Sequence, residues 1–273
     1  MEGQSTTHDL DIRDDIVIKR YRSWDRREPH REWRALSVLA EYAPGLAPTP
    51  VRADVDGDPP MIVMSRMPGT PLRGTTMTEE QTVALAEALT KVHSAVPTEV
   101  VRTIQPAAWG PAAAVDKARL WAEKQPDLGT DPRVADAYAL GTAWLASADP
   151  DHLTTNPMPP TLGSSDNNSA NYLWNAAEGR VHIVDWEDSG QSDRAFEIAE
   201  LIEHISHIDD FSDREGILDH IHLDNQEIVR VRDFRRVLAL GWFLMLGPAG
   251  PFASRNPPDT LAKQADRILC LFG

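Results

Sequence analysis

The feature that most restricts the fold is a predicted β-hairpin within a part of the chain that otherwise has helical periodicity. The stretch from Thr161 to Glu187 reads TLGSSDNNSANYLWNAAEGRVHIVDWE. Aromatic and β-branched residues on both sides of Glu178-Gly179 predict two short strands joined by a turn. The chain before and after this stretch repeats apolar residues every three to four positions, which is typical of helices. A compatible fold must therefore accommodate one hairpin among helices.

Three polar residues of this hairpin suggest phosphate chemistry. Asp166 and Asn171 form a D-x-x-x-x-N pattern, and Asp185 ends the return strand. Strand pairing would bring Asn171 and Asp185 to neighbouring strand ends, with Asp166 on the loop before them. Phosphoryl transfer needs a carboxylate near the acceptor hydroxyl and oxygen ligands that hold Mg²⁺ against the phosphates. A turn-rich loop would explain the pattern equally well, so the rest of the chain has to support this interpretation.

The first part of the chain predicts a small β-rich lobe with one helix. Residues 9–21 and 51–64 predict hairpins, and between them a helix is predicted from Arg26 to the Pro/Gly-rich segment that starts at residue 42. Lys19 lies on a strand and Glu32 on the helix that follows, which is the order needed for a phosphate-holding lysine positioned by a helix carboxylate. Taken singly, Lys19 could be a strand-edge charge and Glu32 a solvent-facing helix residue.

The remaining chain is predicted to be mainly helical. The boundary between the two patterns predicts an α+β chain with a lobe of residues 1–66 and a helical lobe of residues 67–273. Thr78 is a predicted N-cap. Helical periodicity is found over residues 78–96, 113–124, 134–146, 195–207 and 225–246.

Composition limits the partners. The chain of 273 residues has 42 Asp and Glu against 27 Lys and Arg, a net charge of −15. Nucleic acid and anionic membranes are therefore poor partners for the surface as a whole. The single cysteine, Cys270, forms no internal disulfide and excludes a multi-cysteine metal site. The apolar run that starts at Val237 is too short to span a bilayer, and the N-terminus has no apolar signal region, so we expect a soluble cytoplasmic protein. The oligomeric state is left open.

At this point the chain resembles a known family. The order of Lys19, Glu32, IVMSRMPGTPL, LTKVHS, the Asp166/Asn171 pair and IVDWE is similar to that of the aminoglycoside phosphotransferase and choline kinase family. The resemblance covers nearly the whole chain. It implies a bilobal protein-kinase-like fold, with a small β-rich N-lobe carrying one helix and a larger, mainly helical C-lobe.

The resemblance also implies roles for individual residues. Asp166 matches the aspartate that accepts the proton of the substrate hydroxyl, and Asn171 and Asp185 match the Mg²⁺ ligands. ATP or GTP is the implied co-substrate, with Lys19 and Glu32 as the phosphate-holding pair. Further nucleotide contacts are expected from the phosphate-covering loop and from the hinge, at Ser5, Thr6, Met64, Ser65, Arg66 and Met67.

The chain departs from the family pattern in three places. Ser164-Ser165 stands where the family has His-Gly, no first strand precedes the phosphate-covering loop, and the later aspartate of the family corresponds to Glu197. Two other functions stay open, the first of them because of Ser164-Ser165 and the short N-terminus. One is a nucleotide-binding pseudokinase or regulatory protein without transfer activity, and the other is a phosphate-ester hydrolase that uses Asp166 and Asp185 around two metals.

The acceptor cannot be identified from a motif, but its charge can be predicted. Clustered carboxylates at the mouth of a cleft attract cations. They favour a cationic, hydroxyl-bearing acceptor such as an aminoglycoside-like antibiotic, and hence a role in antibiotic resistance, although solubility alone would also explain these charges. The expected acceptor-binding residues are Glu187, Asp188, Glu197, Glu200, Asp209 and Asp210.

Overall fold

The computed structural model describes residues 8–74, 76–124, 131–209, 214–248, 250–253, 257 and 259–273. The chain forms two compact units. The first consists of Met1–Ala108, Pro160–Ser192 and Ile217–Ile221, and the second of Trp109–Pro159, Asp193–Gly216 and His222–Gly273. The Asp- and Asn-rich hairpin thus belongs to the same unit as the N-terminal hairpins. The lobes of residues 1–66 and 67–273 stay a prediction.

A four-stranded antiparallel sheet forms the start of the first unit. Its order is β1-β2-β4-β3, with β1 at Asp9–Ile12, β2 at Ile16–Arg20, β3 at Pro50–Asp54 and β4 at Met61–Ser65. Helix α1 (Glu28–Tyr42) connects β2 to β3 and begins with a proline in its first turn, where the missing N–H has no helical partner to lose. The buried apolar residues of α1 recur at helical spacing, from Ala35 to Leu39. The hairpins and the helix expected from the sequence are present.

The rest of the first unit supports the Asp- and Asn-rich hairpin. Strands β7 (Tyr172–Asn175) and β8 (Arg180–Ile183) pair as predicted, and β5 (Thr70–Pro71) adds to β7. Strands β6 (Thr161–Gly163) and β9 (Gly190–Ser192) form a second, two-stranded sheet. Helix α2 (Glu79–Ala95) begins at the capping box of Thr78 and Gln81, and α3 spans Thr98–Val101.

The second unit is helical. Its helices are α4 (Pro111–Ala122), α5 (Pro132–Ala146), α6 (His152–Thr155), α7 (Arg194–Glu203), α8 (Asn225–Leu246) and α9 (Thr260–Phe272). Two expectations need correction. Helix α7 ends at Glu203 rather than at residue 207, because His204 is extended and Ile205–His207 continues as a 3₁₀ turn. Helix α9 was not expected.

Arg230 is a buried charge of the second unit that is fully paired. The Arg230 guanidinium donates to Asp193 Oδ2 and to the carbonyl oxygens of His152, Leu153 and Asn156. Since the side chain of Arg230 is almost fully buried, these acceptors replace the water that it gives up. The α+β fold predicted from the sequence is confirmed. In the described part of the chain, none of the helices has the length and apolarity that a membrane span requires.

Candidate active site

The hairpin of β7 and β8 sets the position of two candidate metal ligands. Tyr172 pairs with Ile183 at the open end of the hairpin, and the Val184 N–H donates to the Asn171 carbonyl oxygen at 2.9 Å. Asn171 therefore precedes one strand just where Asp185 follows the other. This is the arrangement predicted from the sequence.

The loop before β7 is held by its own side chains. The Asp166 carboxylate accepts hydrogen bonds from the Asn168 N–H and from Asn171 Nδ2, each at 3.3 Å, and its carbonyl oxygen accepts a second bond from Asn171 Nδ2 at 3.1 Å. The Tyr172 hydroxyl and Ser164 Oγ both meet Asn167 Oδ1 in the buried base of the loop. Hydrogen bonds within the loop thus position Asp166 although Ser164-Ser165 stands in place of His-Gly.

Two non-glycine residues of the site have left-handed backbone conformations. Ser165 has φ of 62° and Asp185 has φ of 66°. Any residue with a Cβ pays a steric cost in this region, and Asp is found there more often than Ser because its short side chain forms local hydrogen bonds. The family's glycine falls at position 165, so the geometry of the loop explains why glycine suits this position.

Lys19 lies at the centre of a cluster of carboxylates. Its Nζ is 2.7 Å from Glu32 Oε2, 2.6 Å from Asp185 Oδ1 and 2.6 Å from Glu187 Oε2, and the residue is 4% exposed. Burial alone would lower the pKa of Lys19, but Asp185, Glu32 and Glu187 together raise it well above its ordinary value. The ammonium therefore stays charged.

Glu187 was expected among the acceptor-binding residues, and the structure places it in the Lys19 cluster. Its Oε2 contacts both Lys19 Nζ and, at 2.7 Å, His8 Nε2. Burial opposes ionisation, but His8 and Lys19 outweigh it and lower the pKa of Glu187 to about 2. In the sequence, the signal for this contact was that Glu187 follows Asp185 by two residues. The left-handed backbone at Asp185 turns the chain so that Glu187 reaches Lys19.

A divalent cation would find its oxygen ligands at the exposed edge of this cluster. Oxygen atoms of Glu32, Asp185 and Glu187 lie within 4.8 Å of one another, but the Lys19 ammonium lies among them, so the hard oxygens available to Mg²⁺ are those of Asp185. Asn171 uses its Nδ2 on Asp166, which leaves its amide oxygen as a ligand. Of the three carboxylates, Asp185 has the most exposed side chain, at 35% against 1% for Glu32 and 11% for Glu187.

The electrostatics at Asp185 also suit a cation. Burial, with added repulsion from Glu187 and Glu32, raises the pKa of Asp185 to about 7 against the opposing effect of Lys19. A divalent cation would relieve this repulsion. The residues present therefore fit Mg²⁺.

Asp188 lies near the candidate catalytic carboxylate. Its Oδ1 is 2.9 Å from Arg26 Nη1, and burial raises its pKa to about 6 against the effect of Arg26, with Glu187 and Asp166 adding to the rise. Asp188 is therefore a neighbour of Asp166, but its charge is already paired.

The other expected acceptor residues are also engaged. Glu197 and Glu200 are buried on α7 and both have interaction partners. Asp209 pairs with Lys263 at 2.8 Å, and Asp210 lies outside the described residues. These carboxylates, as far as the structure describes them, form no free anionic patch.

The expected hinge residues lie at the end of strand β4 and directly after it. Met64 pairs with Val17, the Ser65 N–H donates to the Thr49 carbonyl oxygen and the Arg66 N–H donates to that of Asp15, each at 2.9 Å. Met67 comes directly after them. The two phosphate-loop residues Ser5 and Thr6 lie outside the described residues.

Sequence reasoning missed an apolar face beside Lys19. Leu10 is opposite Lys19 in the sheet, while Ile12 and Met64 are both opposite Val17, so all of them lie on the Lys19 side. Leu10 is 45% and Ile12 60% exposed. Alternation of Leu10 and Ile12 with Asp9 and Asp11 was the available signal.

Comparison with known proteins agrees with this geometry. The model of the phosphotransferase enzyme family matches residues 6–237. A choline/ethanolamine kinase family protein from Mesorhizobium loti shares 18% identity with a TM-score of 0.66, over 98% of this chain and 86% of that chain. The choline kinase from Streptococcus pneumoniae shares 14% with a TM-score of 0.63, over 99% and 91%. A spectinomycin phosphotransferase in complex with ADP and spectinomycin shares 13% with a TM-score of 0.61, over 99% and 92%.

A comparison with curated protein sequences gives no significant match. The structural likenesses establish the fold, and the family match extends over most of the chain. It includes Lys19, Glu32, Asp166, Asn171 and Asp185. The chain therefore belongs to the phosphotransferase enzyme family and is a phosphotransferase with an alcohol group as acceptor.

Proposed function

We propose that the enzyme transfers the γ-phosphate of ATP or GTP to a hydroxyl group of a small molecule. The observation that carries this proposal is the Lys19 cluster, in which a buried ammonium holds Glu32 and Asp185 within one unit that also contains Asp166 and Asn171. Phosphoryl transfer depends mainly on positioning and electrostatic stabilisation, and this cluster offers both.

Each residue has a defined part in the reaction. Asp166 accepts the proton of the acceptor hydroxyl while the oxygen of that hydroxyl forms a bond to the γ-phosphorus. The bond between the γ-phosphorus and the β–γ bridging oxygen breaks at the same time, and the nucleoside diphosphate leaves. Lys19, kept in place by Glu32, pairs with the phosphates. Asn171 and Asp185 would hold Mg²⁺, and bound Mg²⁺ would neutralise phosphate charge.

The nucleotide base would lie against the apolar face of Leu10, Ile12 and Val17. Two exposed aliphatic side chains gain from being covered by a flat ring. Since Ser65 and Arg66 use their N–H groups within the protein, the hinge would offer the base their carbonyl oxygens and the Met67 backbone. This arrangement does not select between ATP and GTP.

A cationic acceptor remains our expectation for the substrate class. Its support is the net charge of −15, because the described candidate carboxylates are paired or buried and add no free charge. Aminoglycoside-like antibiotics and cationic amino alcohols fit this class. Solubility is the competing explanation of the net charge.

The decisive experiment incubates the enzyme with Mg²⁺, ATP or GTP and a panel of cationic, neutral and anionic hydroxyl compounds, and detects the phosphorylated product by mass spectrometry. Asp166→Asn is the control, because it keeps the size of the side chain and removes the base. Nucleotide binding without any product would instead indicate the pseudokinase. Phosphate release from esters without nucleotide would indicate the hydrolase.

Ionic strength tests the acceptor's charge separately. For a cationic acceptor, kcat/KM should fall as salt rises, because exposed charges are screened beyond about 8–10 Å near physiological ionic strength. If the best acceptor is neutral and its kcat/KM is unaffected by salt, the cationic class is wrong while the phosphotransferase assignment stands.

A further inference from the structure

The three carboxylates around Lys19 differ in the other side chains and backbone groups that they contact. Glu32 Oε2 also accepts a hydrogen bond from the Tyr21 hydroxyl, and Glu32 Oε1 is 3.4 Å from the Trp186 backbone nitrogen, which donates to it. Glu187 also contacts His8. Asp185 has no second side-chain donor among the described residues. The lysine is thus surrounded by two carboxylates that are fixed from outside and one that is not.

The two outer donors come from one place in the fold. The β1–β2 register pairs Asp9 with Arg20, so that His8 and Tyr21 are the next residues across the same hairpin. Their rings pack 4.7 Å apart, and both residues are buried. His8 Nδ1 accepts the Arg22 N–H at 3.2 Å, which leaves Nε2, 2.7 Å from Glu187 Oε2, as the ring nitrogen that carries the proton.

We propose that Tyr21 and His8 are positioning residues that fix Glu32 and Glu187, so that Lys19 divides its bonds among three carboxylates and its 2.6 Å bond to Asp185 stays weak enough for Mg²⁺ to bind the Asp185 carboxylate. This inference rests on the proposed function. Neither residue belongs to the implied set of lysine, helix glutamate, metal ligands and catalytic aspartate. Their contribution is instead to the balance of charge inside the cluster.

The physical reason lies in competition for one ammonium. Three carboxylates surround Lys19, and the cation bonds most strongly to those that present their oxygens in a fixed position. Without the Tyr21 hydroxyl, Glu32 would be freer to rotate and Lys19 would bond more often to Asp185. That bond competes with Mg²⁺ for the same oxygens.

The distinguishing observable is therefore the Mg²⁺ requirement. We expect Tyr21→Phe to raise the Mg²⁺ concentration for half-maximal binding of a non-hydrolysable ATP analogue about ten-fold, the effect expected for losing one hydrogen bond to a charged group. Isothermal titration calorimetry over a Mg²⁺ series measures it. Tyr138→Phe is the matched control, because the Tyr138 hydroxyl donates to the Ala122 carbonyl oxygen in the other unit.

A double-mutant cycle separates positioning from loss of packing. In a Glu32→Gln background, Tyr21→Phe should change the Mg²⁺ requirement much less, since the acceptor charge that it fixes is gone. An unchanged Mg²⁺ requirement in Tyr21→Phe, or equal shifts in both backgrounds, would overturn the inference. If Tyr21→Phe loses its cooperative unfolding transition, His8→Gln provides the same test through Glu187.

The proposed function can fail separately. A wild-type enzyme that binds no ATP analogue at any Mg²⁺ concentration would overturn both the proposed function and this inference. Normal binding by the wild type, together with a Tyr21→Phe variant that behaves like it, would overturn the inference alone.

Discussion

The left-handed conformation of Ser165 predicts that glycine is the better residue at this position. A non-glycine residue in this region costs about 1–2 kcal/mol, while glycine loses about 0.4–1 kcal/mol more backbone entropy on folding. Ser165 is buried and its side chain or backbone has a partner, so replacing it by glycine also removes a hydroxyl. Ser165→Ala is therefore the matched control, because it removes the hydroxyl and keeps the Cβ.

The expected difference follows from these magnitudes. Ser165→Gly should be more stable than Ser165→Ala by about 1 kcal/mol, the steric relief less the entropy loss. For a chain of this size this corresponds to about 2–4 °C in Tm. Urea unfolding and thermal unfolding of the two variants measure it, read from the transition of the first unit if the two units unfold separately. Equal stability of the two variants, or a more stable alanine variant, would refute the argument from backbone strain.

Three other predictions concern charge. Asp185→Ala should abolish Mg²⁺-dependent phosphate transfer with the fold retained by circular dichroism, and an unchanged Mg²⁺ titration would contradict its role as ligand. Lys19→Ala should reduce kcat/KM for the nucleotide strongly while Arg20→Ala has little effect, because Lys19 is buried in the cluster and Arg20 is exposed; equal losses would contradict this assignment. At Glu215, burial opposes ionisation but Arg267 at 2.7 Å lowers the pKa below 4.5, so the pair stabilises the fold above that pH. Glu215→Gln should cost about 0.5 kcal/mol at pH 7, and the difference from wild type in urea unfolding should disappear as the pH falls through the lowered pKa; a difference that persists in acid would contradict it.

Secondary-structure patterns in the sequence were sufficient to predict which residues meet at the centre of the site. A strand followed by a helix brought Lys19 to Glu32, and hairpin pairing brought Asn171 to Asp185. Both depend on short-range geometry that residue type and spacing encode. The assignment of Glu187 to the acceptor side was different, because its contact with Lys19 depends on the left-handed turn at Asp185.

Helix α9 was missed although Leu261, Ala265, Ile268 and Phe272 recur at helical spacing. What this local pattern does not explain is the burial of Gln264 and Arg267 on the same helix. Arg267 is tolerated there because Glu203 accepts hydrogen bonds from its guanidinium. Nothing local to residues 260–272 indicates a partner on α7. The apolar face of Leu10 and Ile12 was also missed. Its closeness to Lys19 depends on strand pairing, which places these residues and Lys19 on the same face of the sheet.

The enclosure of Lys19 gives the site a chemical signature. The chain has five lysines, and the other four, Lys91, Lys117, Lys124 and Lys263, are exposed. Acylating reagents attack only the unprotonated amine, and the carboxylates around Lys19 keep its pKa well above the ordinary value. Lys19 should therefore resist acetylation in the native enzyme while the exposed Lys91, Lys117 and Lys124 are modified, and Lys263 should react more slowly than these three because Asp209 and Asp259 also raise its pKa. The appearance of acetyl-Lys19 in peptide mass spectra would then show that the carboxylates no longer surround Lys19. This readout needs less protein than a kinetic assay.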